Sequence, residues 1–222
     1  MATWDELHKT AKVREVYEGV AEFAKAYLKP GMRVLDLGCG TGRHSLYCAR
    51  LGIETHAVDI SDAGLSKLVE ESKKGQLFER LKITKSDIRE MPFPNAYFDA
   101  IICVNVINHG YKKDVEAYFK EAGRVLKPEG LFFLLVAPPE FIDAVRTEKT
   151  VEAEEGTFIN IDMPDGEVPH HLLSDKELKA LLEGYDILKI KKSKGLSQWK
   201  DLEITREEII ARKHGKQHSQ GA

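Results

Sequence analysis

The chain has 222 residues, with 33 Lys or Arg against 36 Asp or Glu and a formal net charge of -3. That length suits one domain with a sizeable core, and that balance leaves no broad basic surface to neutralise a nucleic-acid backbone, so a small-molecule partner is expected. No N-terminal apolar segment resembles a secretion signal and no stretch is long enough to span a bilayer, which predicts a soluble, cytoplasmic monomer or homodimer with no membrane partner. Cys39, Cys48 and Cys103 lie in or beside apolar segments and lack the paired spacing of zinc ligands. They read as small buried residues, and no metal centre is expected.

Between Trp4 and Leu28, the residues Val13, Val16, Tyr17, Val20, Phe23, Ala24 and Tyr27 recur at helical spacing, predicting a helix with a broad apolar face and a helical cap over 1–30. Arg33 to Leu37 is an apolar run suited to a buried parallel strand, and it breaks into Gly38-Cys39-Gly40-Thr41-Gly42. Alternating glycines permit a sharp turn and bring bare backbone against a ligand, with Asp36 arranging the turn. The helix from Arg43 to Arg50 then points its first amide N–H groups at the same place. Ile53 to Ser61 reads as a second strand ending in Asp59, about 20 residues beyond the first glycine. An acid there either accepts two ribose hydroxyls or stabilises the start of the next helix, and the two roles are compatible. Ser61 or Asp62 caps that helix, which runs to about Lys74 with Leu65, Leu68 and Val69 on one face.

Leu81 to Asp87 is a third strand running into a loop punctuated by Pro92 and Pro94. Tyr97 to Val104 is nearly unbroken apolar sequence, as a central strand covered on both faces requires, and it ends in Asn105, Asn108 and His109. By the rule for open α/β sheets, polar groups at that end face a ligand. A helix from about Lys113 to Leu126 follows, closed by Pro128 and Gly130 before a strand from Leu131 to Val136. Ala137 to Leu173 is a polar insertion, long enough to be a lid or a mobile segment, with Phe158 to Asp162 as a short edge strand. Within it, Glu152 to Glu155 reads as a solvated face. Ser174-Asp175-Lys176-Glu177 has the form of a capping box and starts a helix through Leu182. Tyr185 to Ile190 and Leu202 to Ala211 read as strands joined by a lysine-rich loop containing Trp199, and the tail over 214–222 is expected to be disordered.

The spacing of the glycine turn separates two ligand classes. A dinucleotide fingerprint places a third glycine or alanine three residues after the second, where this chain has Arg43. Glycines at every second residue, with an acid two before the first, instead resemble motif I of the class I S-adenosylmethionine-dependent methyltransferases. Asp59, Ser86-Asp87 and the segment Arg124-Val125-Leu126-Lys127-Pro128-Glu129-Gly130 agree with that family in order along the chain. The resemblance is strongest from Met32 to Val136.

It implies an α/β fold: a doubly wound, Rossmann-like, mostly parallel seven-stranded sheet with an antiparallel final strand and helices on both faces. It implies S-adenosylmethionine as cofactor, held by Asp36, Gly38, Cys39, Gly40, Asp59, Ile60, Asp87, Ile88 and Asn105. In it, Asp87 accepts the adenine amino group and the backbone of Ile88 meets the ring, and the N-terminal helix either closes over the cofactor, bringing Tyr17 or Arg14 to it, or packs on the sheet. The implied activity is transfer of a methyl group to a small-molecule nucleophile by in-line displacement, releasing S-adenosylhomocysteine. A general base is needed only for a protonated nucleophile, and His109, His170 and His171 are the candidates because histidine titrates near neutrality. Asn105-Val106-Ile107-Asn108 lacks the Pro-Pro-aromatic signature of relatives acting on nucleic-acid bases. Two rival readings stand: a nicotinamide-dependent oxidoreductase, disfavoured by Arg43 and by the lack of a recognisable Tyr/Lys pair, and a non-catalytic cofactor-binding or interaction module on the same fold.

Overall fold

The computed structural model describes residues 4–197 and 202–215. Trp199 and the tail beyond Gly215 therefore lie outside the described residues. The main sheet has the order β3-β2-β1-β4-β5-β10-β9, with β1 Arg33–Leu37, β2 Glu54–Asp59, β3 Leu81–Lys85, β4 Phe98–Val104, β5 Leu126–Val136, β9 Tyr185–Leu196 and β10 Glu203–Lys213. Strands β1 to β5 pair in parallel. β10 runs antiparallel between β5 and β9. This is the expected seven-stranded sheet, with its antiparallel last strand inside the sheet.

The period-two geometry of a strand sorts the apolar runs onto two faces. Leu35, Leu37, Ile101, Cys103, Phe132, Leu134, Ile209 and Ala211 pack on one side, where α5 (Lys112–Val125) and α7 (Asp175–Leu181) cover them with Phe119, Ala122 and Leu178. Val34, Ala100, Ile102, Phe133 and Leu135 pack on the other with Val20 and Phe23, which belong to α2 (Glu18–Tyr27). A strand covered on both faces must be apolar at every position, which explains the unbroken run in β4. On the same face as α2, α3 (Arg43–Arg50) and α4 (Asp62–Lys74) bury Leu46, Ala49, Leu65 and Leu68 beside β2 and β3. Ser61 caps α4, its hydroxyl accepting from Gly64 N at 3.0 Å. Ser174 and Glu177 form the expected capping box on α7.

Three expectations need correction. The N-terminal segment is two helices, α1 (Trp4–Thr10) and α2, separated by non-helical residues 11–17. The break has a tertiary cause: α1 docks on α4, where Asp5 Oδ1 accepts from Ser61 Oγ and Ala63 N and Lys67 Nζ donates to the carbonyls of Lys9 and Ala11. β5 starts at Leu126, five residues early, because Leu126 pairs with Phe98 before a register shift lets Leu131 pair with Ala100. The insertion folds as α6 (Phe141–Val145) and a separate sheet of β6 (Val151–Glu154), β7 (Thr157–Ile159) and β8 (His170–His171). Phe158 thus lies on the middle strand of three and not on an edge. It belongs to a small core with Phe141, Ile142, Val145, Ile161, Leu172 and Ile204. Glu152 to Glu155 are exposed, as expected. Among the described residues, no helix is long and apolar enough to cross a membrane.

Candidate active site

The strand order reverses between β1 and β4, and a cavity of about 520 Å³ opens there, beyond the carboxyl ends of the strands. Such a reversal leaves a crevice because the helices that follow the two strands pass to opposite faces.

One wall is the glycine turn. Gly38 N and Cys39 N both donate to Val58 O at 2.9 Å, and Gly38 has φ +69, where a Cβ would stand 2.4 Å from Val106 Cγ1. Only glycine lets the chain pass there. Beneath the turn Asp36 is buried and accepts from Ser45 N at 2.9 Å and from the Ser45 hydroxyl. Burial pushes its carboxyl up to about 6, against these hydrogen bonds. Asp36 thus ties turn to helix without lining the cavity.

Asp59 stands at the cavity floor, 7 % exposed. Its Oδ2 accepts from Gly40 N at 2.7 Å and its Oδ1 from Ser61 N at 2.8 Å. A carboxylate offers about four lone-pair sites, so two remain for ligand hydroxyls. The helix-start role therefore leaves Asp59 with acceptor capacity toward the cavity. Gly38, Cys39, Gly40, Ile60, Asp87, Ile88 and Asn105 all line the same cavity. The Arg89 guanidinium binds Asp87 at 2.6 Å and holds its carboxyl below the usual range. Asn105 has φ 55, a left-handed turn that asparagine tolerates.

The roof is α1, with Trp4 and His8 on the cavity and Trp4 packed on the His109 ring at 4.7 Å. Arg14 reaches the cavity, as do Arg43 and Arg206; Tyr17 does not, and packs on Phe133. Burial drops the Arg43 guanidinium to about 10.

The opposite wall brings together His109, Asp165 and His170. His109 Nε2 lies 3.3 Å and His170 Nε2 3.6 Å from Asp165 Oδ2. Burial lowers the basicity of His109. Burial alone would raise Asp165, but the two imidazoles override it and hold the carboxyl well below the usual range. His171, the third histidine singled out in the sequence, is not on the cavity. It is 1 % exposed, hydrogen-bonded to Thr157 Oγ1 at 2.8 Å and 3.4 Å from Glu177. Strand alternation sends it to the far side from His170. Asn108 turns inward as a stitch: it accepts from Ala137 N at 2.9 Å and donates to His171 O at 2.6 Å. Sequence reasoning missed Asp165, Trp4 and His8. Met163-Pro164-Asp165-Gly166 looks like any turn, and nothing local marks its acid.

The cavity fits a nucleoside-bearing, zwitterionic ligand. It falls in the usual volume range for small-ligand sites, has a buried carboxylate with spare acceptor capacity beside a glycine cradle, and carries arginines that suit a carboxylate. Fold and site together define a nucleotide-type cofactor pocket of the methyltransferase kind. The family model for the methyltransferase domain matches residues 35–134. The chain is 39 % identical over 113 residues to the cyclopropane-fatty-acyl-phospholipid synthase of Escherichia coli, a match covering 50 % of this chain and 27 % of that protein. It is 34 % identical over 132 residues to the putative methyltransferase YqeM of Bacillus subtilis, covering 59 % and 51 %. A SAM-dependent methyltransferase from Methanosarcina mazei superposes with a TM-score of 0.73 at 22 % identity, covering 91 % of this chain and all of that one. Over residues 35–134 the chain is similar to the class I S-adenosylmethionine-dependent methyltransferases. It spans only 27 % of the cyclopropane synthase and about half of YqeM.

Proposed function

We propose that this chain is a cytoplasmic, single-domain enzyme, monomeric or homodimeric, that methylates a small molecule. The cofactor supplies a methyl group already activated on a sulfonium, so the protein's task is to hold a nucleophile in line with it. Gly38, Cys39 and Gly40 would meet the cofactor with backbone. Asp59 and Ile60 would hold its ribose side, Asp87 and Ile88 its base, and Asn105 the mouth, with Asp36 fixing the turn from below. Arg14, Arg43 and Arg206 would supply charge to a carboxylate. His109 and His170, with Asp165, would contact the incoming acceptor; His171 would only support the wall behind them.

The observation that carries this reading is the single cavity that joins the glycine turn and Asp59 to a polar wall made by the insertion. Its roof, Trp4 on His109, favours a compact acceptor over a nucleic-acid duplex. Calorimetric titration of the full chain with S-adenosylmethionine, S-adenosylhomocysteine and NAD tests it. Micromolar binding of the first two and none of NAD is expected; binding of NAD alone would turn the reading to the oxidoreductase.

A further inference from the structure

His109, Asp165 and His170 are the one group among the described residues whose nitrogen and carboxylate donors converge within 4.8 Å as a metal ion requires. They come from three separate segments: the loop after β4, a turn in the insertion, and β8. Backbone bonds lock them together. Gly110 N donates to Pro169 O and His171 N to Asn108 O, both at 2.8 Å, and His109 and His170 bridge as antiparallel neighbours. Val168 N donates to Asp165 O and closes the acid's turn.

The hydrogen-bond arrangement inside this group is incomplete. His170 Nδ1 lies 2.7 Å from Val168 O. A carbonyl only accepts, so Nδ1 is the donor of that bond and Nε2 is the nitrogen turned toward Asp165. Nε2 lies 3.6 Å from Asp165 Oδ2, longer than an ordinary hydrogen bond. Asp165, 8 % exposed, has an open acceptor: its Oδ1 is buried without a hydrogen-bond partner.

We propose that His109, Asp165 and His170 bind a late first-row divalent cation of the zinc type, with an open coordination position toward the cavity. Two imidazoles and a carboxylate are the donor set such ions take in sites that keep one position open. Ligand bonds of about 2.1 Å at tetrahedral angles put donors roughly 3.4 Å apart, close to the 3.3 and 3.6 Å found here. The Val168 carbonyl plays the usual outer role, fixing the tautomer and the ring. A hard ion such as Mg2+, which prefers an all-oxygen octahedron, suits the set poorly. The open position would take an oxygen, nitrogen or sulfur donor of the methyl acceptor and favour loss of that group's proton to water. This last role rests on the cavity being the methyl-transfer site; the metal site itself does not.

Equilibrium dialysis of the full chain against ZnCl2, with MgCl2 in parallel, tests the site, and Co2+ loading gives a visible absorption that reports on its coordination. One equivalent of zinc is expected, weakened at least tenfold in His170→Ala and in Asp165→Asn, unchanged in His171→Gln, with no comparable Mg2+ binding. S-adenosylhomocysteine titration of each variant checks that the pocket is intact. Absence of stoichiometric zinc in a protein that binds S-adenosylhomocysteine would overturn the metal site and leave the methyltransferase reading standing. Zinc held equally well by the Asp165→Asn and His170→Ala variants would place the ion elsewhere and overturn it as well.

Discussion

The two walls of the cavity are built in opposite ways. The glycine-turn wall is assembled from segments that end adjacent parallel strands, so each of its residues is placed by a short local pattern and by the register of β1 on β2 and β4. The histidine wall is assembled from residues as far apart as 109 and 170, held by a three-stranded sheet with its own small core. The first wall inherits the rigidity of the main sheet. The second depends on a satellite cluster, and local unfolding there need not melt the molecule.

The largest expected effect tests that contrast in stability. Phe132 is fully buried in the main core, and Phe132→Ala should cost about 3–5 kcal/mol in urea unfolding. Phe158→Ala, in the satellite core, should cost less globally and instead speed amide exchange across 157–172. Equal global losses with no local exchange would show that the insertion and the sheet unfold as one unit.

A smaller effect sharpens the cofactor wall. Asp59→Ala should weaken S-adenosylhomocysteine binding by about 1–3 kcal/mol, the scale for losing charge-assisted hydrogen bonds, read by calorimetry. Unchanged affinity would mean that the ribose lies elsewhere.

The smallest concerns the hinge between the insertion and α7. Glu177 accepts from Ser174, pairs with Lys112 at 2.9 Å and faces His171 at 3.4 Å. Burial opposes these contacts, but Lys112 and Ser174 prevail and hold its carboxyl down at about 2. A carboxyl depressed in the folded state stabilises above its unfolded value of about 4.3 and loses that contribution as pH falls toward 2. Glu177 is a quarter exposed, so Glu177→Gln should cost only about 0.5–1 kcal/mol at pH 7. The difference should shrink in unfolding measured at pH 3.5; one that grew on acidification would contradict this ion pair's contribution.

The sheet and the first wall were legible in the sequence because their determinants are short-range. An unbroken apolar run must lie inside a sheet, alternating glycines after it must turn, and an acid ending the next strand must fall beside that turn, so Gly38, Gly40, Asp59, Asp87 and Asn105 could be placed with no contact known. Asp36 was identified for its role under the turn, but its separation from the cavity became clear only with α3 packed against it.

What only the tertiary structure decided was anything that depends on a partner distant in the chain. The apolar periodicity over 4–28 predicts one helix. The docking of Asp5 and Lys67 between α1 and α4 makes two, and brings Trp4 onto His109. His170 and His171 are equivalent as neighbours in sequence. The antiparallel pairing of β8 on β7, and the alternation of side chains it imposes, turns one toward Asp165 and the other toward Thr157 and Glu177. Hydrophobic pattern fixes which face of an element is buried; it carries no record of which polar groups from other segments will share the space that burial encloses.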